Sequence, residues 1–118
     1  MRKFLFNSLS IYKWKIPFPV FLWMILAIVG ALAEILRGTD AINNFLIFKG
    51  VFWHSVQQTN LYAQYPAEYF DNNHYGPSFS ILIAPFAWMN VFIGCFLWCL
   101  ANALILLYAV NQLPISIQ

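Results

Sequence analysis

Apolar stretches separated by polar, turn-rich segments set the order of the chain. The first runs uncharged from Ile16 to Ala33 and stays largely apolar to Leu36. A helix rises about 1.5 Å per residue, so about 20 residues cross a hydrocarbon core about 30 Å thick. Residues 17–36 are therefore predicted to span a membrane. Pro17 and Pro19 suit the entry of that helix, and Trp14 and Trp23 suit an interfacial zone. Arg37 followed by Gly38 suits its end, and Glu34 can pair with Arg37 three residues on. Ala31-Leu32-Ala33 resembles a signal-peptide cleavage site. The long leader and the length of the apolar run favour a retained span.

Residues 41–58 follow a helical period. Ile42, Phe45, Leu46, Phe52, Trp53 and Val56 form an apolar stripe that Lys49 interrupts, with Asn43, Asn44, Gly50, His54, Gln57 and Gln58 on the other side. Aromatic residues on such a face, beside a span, predict a helix lying in the membrane interface. Packing against other parts of a larger protein would produce the same stripe. Thr59 to Pro77 is polar, aromatic and rich in turn residues, and reads as a loop. Ser78 to Val110 is apolar again, but as one helix it would be about 50 Å long. Pro85 and the segment from Met89-Asn90 to Gly94 offer breaks. The expectation is two short antiparallel spans, or a kinked hairpin, over 78–112. The first of these is tilted or partly re-entrant, and residues 113–118 form a tail.

Composition agrees. The 118 residues are 62% hydrophobic and 8% charged, against about 25% charged in soluble domains, so lipid must solvate much of the surface. Arg2, Lys3, Lys13 and Lys15 open the chain with no acid among them, giving +4. Glu34, Arg37, Asp40, Lys49, Glu68 and Asp71 sum to −2, and no Asp, Glu, Lys or Arg follows. Basic residues flanking a span are retained in the cytoplasm. Residues 1–16 thus read as a cytoplasmic leader and 37–77 as an extracytoplasmic loop. The basic block is too short to indicate nucleic acid. Cys95 and Cys99, four apart on one helix face, read as small packing residues unsuited to a disulfide.

Little in the sequence announces chemistry. There is no glycine-rich phosphate loop, no HExxH and no paired CxxC. A metal site built from His54, His74, Glu68 and Asp71 is a weak reading beside a solvated loop. The notable arrangement is an acid, Asp40, delivered to the outer membrane surface by the first span and followed by a helix and a tyrosine-rich loop. Asp40 could cap the helix beginning at Ala41, together with Thr39. It could also act as a base on a lipid-tethered substrate.

The segments Leu36-Arg37-Gly38-Thr39-Asp40, Asn60-Leu61-Tyr62 and Tyr75-Gly76-Pro77-Ser78-Phe79-Ser80-Ile81-Leu82-Ile83-Ala84-Pro85-Phe86-Ala87 resemble glycosyltransferase family 87, as do Leu97-Trp98 and Asn102 in the following helix. These are membrane enzymes of the GT-C fold related to polyprenol-phosphate mannosyltransferases, and the likeness runs from about Leu36 to Val110. Gly76 stands where many relatives carry a second proline, and Asn90 where many carry a proline. The resemblance implies a polyprenyl-phosphate sugar donor, an outer-leaflet acceptor and a catalytic aspartate just after the first span. Asp40 matches that position. Glu68, Asp71, His74 and Tyr75 are then candidates to bind sugar or phosphate.

The expected fold is all-α, a polytopic helical membrane protein with about three spans and an interfacial amphipathic helix, the N-terminal part of a GT-C-like fold. The expected activity is hexosyl transfer, with mannose as the sugar the resemblance points to, onto a lipid or glycan acceptor. No cofactor or divalent metal is indicated and no nucleic-acid partner is expected. The expected location is a bacterial plasma membrane with the N-terminus cytoplasmic. Enzymes of this type have many more spans, so the chain is expected to be a fragment, inactive alone. The rival is a small non-enzymatic membrane protein or a subunit of a membrane complex.

Overall fold

A computed structural model describes residues 8–11 and 14–114, and its helices follow the apolar pattern closely. α1 (Phe18–Leu36) starts at Pro17, with a proline in its first turn, where a missing N–H costs nothing. It stops where Arg37 and Gly38 donate to the carbonyls of Glu34 and Ile35, with Gly38 at φ +94°, a backbone conformation that favours glycine. Glu34 and Arg37 pair at 3.1 Å on the exposed surface. α2 (Asn43–Val56), α3 (Ser78–Ala87) and α4 (Val91–Gln112) follow. The leader also carries structure that its composition did not predict. β1 (Ser8–Ile11) and β2 (Trp14–Pro17) pair antiparallel, with Leu9 opposite Ile16, and feed directly into α1. The β-favouring Ile11, Trp14 and Ile16 make this pairing reasonable.

Among the described residues two helices, α1 and α4, are long and apolar enough to cross a membrane. The protein is an all-α membrane protein with those two candidate spans. They lie antiparallel. Leu32 and Ile35 of α1 meet Phe92, Ile93, Phe96 and Leu97 at one end. Trp23, Leu26 and Ala27 meet Asn102, Ala103 and Leu106 at the other. The Trp23 indole N–H donates to the Ala103 carbonyl across this seam at 3.0 Å, so Trp23 takes part in helix pairing. α3 has ten residues, about 15 Å, roughly half of a hydrocarbon core. It continues two residues past Pro85 and ends. Its strongest packing partner is α2.

The core forms where α2, α3 and the start of α4 meet: Ile42, Phe45, Phe52, Ile83, Ala87 and Cys95. Gly94 allows the close approach. A Cβ there would collide with the Phe86 carbonyl oxygen and lie 2.9 Å from the Phe45 ring. Asn90 caps α4 by accepting from the Phe92 N–H at 3.0 Å. Lys49 reaches out of α2 to donate to the Met89 carbonyl at 2.8 Å. It thereby satisfies an oxygen just past the C-terminal end of α3. Phe48, Tyr75, Phe79, Phe86 and Trp98 extend the core as an edge-on aromatic cluster.

Candidate functional site: a cleft between Asp40 and Glu68

Part of the polar side of α2 is covered, while Asn44, Gln57 and Gln58 stay exposed. Asn43, Gly50 and His54 are all buried, beneath the loop that runs from residue 57 to residue 77. Two α2 side chains, Asn43 and His54, hold that loop down, and Asn73 within the loop braces it. Asn43 accepts from the Phe70 N–H at 3.1 Å. Asn73, itself buried, donates to the carbonyls of Leu61 and Tyr75 and accepts from the Tyr75 N–H. His54 reaches Thr59 Oγ1 through Nδ1 at 3.0 Å and Glu68 Oε2 through Nε2 at 3.1 Å. The Tyr65 ring stacks on the imidazole with centroids 3.7 Å apart. Tyr69 settles over Gly50, where a Cβ would come within 2.6 Å of Cε1. Its ring is buried, and its hydroxyl has no partner among the described residues. Burial first, then the charge of Glu68, then Tyr65, push the Tyr69 hydroxyl above its ordinary pKa of 10.0.

This packing opens a cleft of about 370 Å³ lined by Thr39, Asp40, Asn43, Leu46, residues 66 and 67, Glu68, Tyr69 and Phe70. Asp40 and Glu68, 28 positions apart in sequence, therefore share one cavity. A second, smaller cleft of about 230 Å³ holds Asp71, with Gln64 and Tyr65, and shares the Pro66, Tyr69 and Phe70 wall. The other two candidates lie elsewhere. His74 is exposed and lines neither cleft. Tyr75 packs its ring on Phe48 and Phe79, with centroids 5.0 and 4.8 Å away. Among the described residues no three His, Cys, Asp or Glu converge as metal ligands.

Asp40 is exposed, and the capping role open to it is not used. Among the described residues α2 has no side-chain cap, its N-cap position being Ile42. The carboxylate is thus left free at the cleft, four residues beyond the end of α1. Sequence reading missed His54 as a partner of Glu68, and also missed Asn43, Tyr69 and Asn73. For His54 and Asn43 the available signal was the polar side of the α2 pattern, since buried polar groups require partners, and the loop supplies those partners; Tyr69 and Asn73, in the loop, gave no such signal.

No curated protein and no solved structure matches the chain. The model of glycosyltransferase family 87 matches residues 73–115, which takes in the Tyr75–Ala87 motif and α4 and leaves Asp40, Glu68 and Asp71 outside. Over that segment the chain is similar to glycosyltransferase family 87, and the match supports a membrane glycosyltransferase.

Proposed function

We propose that the protein transfers a hexose from a polyprenyl-phosphate donor to a hydroxyl acceptor at the extracytoplasmic face of a plasma membrane, with Asp40 as general base. The observation that carries this reading is the shared cleft. A carboxylate free of capping duty stands beside Glu68, just beyond the end of an apolar helix. In this mechanism Asp40 accepts the proton of the acceptor hydroxyl as its oxygen attacks the anomeric carbon. The sugar–phosphate bond breaks with its electron pair, and the polyprenyl phosphate leaves. Glu68 accepts a hydrogen bond from a ligand hydroxyl, and Asp71 extends the polar surface into the adjoining cleft. The four cations of the leader favour a cytoplasmic N-terminus and a cleft outside. Mannose is the sugar this reading favours.

The test is Asp40→Asn, nearly isosteric but unable to take the proton. With no cap bond to lose, stability should change by less than about 0.5 kcal/mol. Turnover of the full-length enzyme with a labelled polyprenyl-phosphate mannose should fall by about a hundredfold to ten-thousandfold at matched protein levels, with donor binding retained. Turnover within about threefold of wild type, far short of that loss, removes Asp40 from the mechanism. Glu34, bound to Arg37, is then the next acid to test.

A further inference from the structure

We propose that His54 is a positioning residue. Its Nε2–H holds one oxygen of Glu68 so that the other is presented, beside Asp40, to a hydroxyl of a sugar bound in the cleft. This rests on the reading of the cleft as a sugar site, and it assigns a residue outside the cleft a role in that site.

Three observations carry it. His54 is 4% exposed, whereas the Glu68 side chain is 49% exposed and lines the cleft. The pair thus has one fixed member and one that faces ligand. Both ring nitrogens are engaged, and the Tyr65 stack lies with ring planes only 16° apart, so the imidazole has no free rotation. The hydrogen-bond geometry also favours one arrangement at Nε2. The Thr59 hydroxyl donates to the imidazole Nδ1 at 3.0 Å, the shorter of its two contacts. The ring proton then sits on Nε2, facing a carboxylate oxygen 3.1 Å away that can accept it. Nε2–H thus donates to Glu68 Oε2. One carboxylate oxygen is occupied, and the second remains to accept from ligand. A carboxylate on a flexible stem would lose more entropy on binding than one already held.

The experiment compares wild type with His54→Phe, His54→Gln, Glu68→Gln and the His54→Phe/Glu68→Gln double variant, in the intact membrane protein in lipid nanodiscs. The probes are methyl α-mannoside and methyl β-glucoside. Affinity is read by saturation-transfer NMR, and transfer from a polyprenyl-phosphate mannose donor is read separately. His54→Phe keeps a planar ring under Tyr65 but donates nothing. It should weaken binding of the better probe by about tenfold or more, raising KM for that acceptor with kcat within about threefold. His54→Gln, which retains an N–H donor, should recover most of the loss. Glu68→Gln should match His54→Phe, and the double variant should be no worse than either single one, because His54 acts only through Glu68. Additive losses, or probe binding unchanged in His54→Phe, overturn the proposal, as does wild type that binds neither probe. Sugar binding coupled in this way but with no transfer by the full-length enzyme leaves the positioning role standing and overturns the glycosyltransferase reading.

Discussion

Gly50 is where the site depends most on the absence of a single carbon. The Tyr69 ring meets it edge-on through Cε1. A Cβ at position 50 would sit 2.6 Å from Cε1, 3.4 Å from Cζ and 3.5 Å from Cδ1. Carbon atoms in contact prefer about 3.5–4.0 Å, so Gly50→Ala forces the ring to retreat by about 1 Å. Two opposed effects follow. Alanine in a helix interior is favoured over glycine by about 0.8–1.0 kcal/mol. Overpacking a filled site costs about 1–3 kcal/mol, and Tyr69 is only 4% exposed, with little room to yield. The second effect should win, giving a net loss of up to about 2 kcal/mol. Tyr69→Leu removes Cε1 and Cζ and leaves the more distant contact. In that background Gly50→Ala should stabilise by about 1 kcal/mol, so the two sites should show a coupling of about 1–3 kcal/mol. Unfolding in mixed micelles followed by tryptophan fluorescence measures all four proteins. If Gly50→Ala stabilises the wild-type background by about 1 kcal/mol, as propensity alone would have it, the ring does not rest on α2. The wall shared by the two clefts would then lie elsewhere.

Three further outcomes are expected. Gly94→Ala, which drives a Cβ into the Phe86 backbone oxygen and the Phe45 ring, should cost about 1–3 kcal/mol of stability by the same assay. Tyr69→Phe, which deletes a hydroxyl without a partner among the described residues, should leave stability unchanged or raise it by about 1 kcal/mol. It should also remove an alkaline loss. With the folded pKa above 10.0, unfolded chains release the proton first, so wild-type stability falls as pH rises from about 10 towards the folded value; denaturant midpoints across that range read it. Single cysteines at Asn72 and Asn111, in a background lacking Cys95 and Cys99, test the antiparallel pairing of α1 and α4. An impermeant thiol reagent on intact cells should label the first and spare the second, whereas labelling of both would mean either a third crossing or an α4 that does not cross.

Local pattern settled the helices and most of their limits, though not the β1–β2 pair. An apolar run ended by Arg37-Gly38 reads as a helix stopped at that point, because a positive φ falls to the glycine and a polar flank marks the edge of the apolar core. The loop from Thr59 to Pro77 and the break near Asn90 were legible for similar local reasons, as was the position of an acid just past the first span, whereas its freedom from capping was not. Tertiary packing settled what covers each face. Periodicity shows that α2 has a polar side but not that His54, Asn43 and Gly50 lie beneath a loop. Their partners Glu68, Phe70 and Tyr69 are 14 to 27 positions away, and nothing in a local pattern fixes that register. In the same way hydropathy marked α3 as apolar, but its ten residues found their main partner in α2. The meeting of Asp40 with Glu68 is of this second kind. Each residue was readable as an acid in a loop. They came to share a cleft because a buried histidine and a ring packed on a glycine hold the loop against the helix.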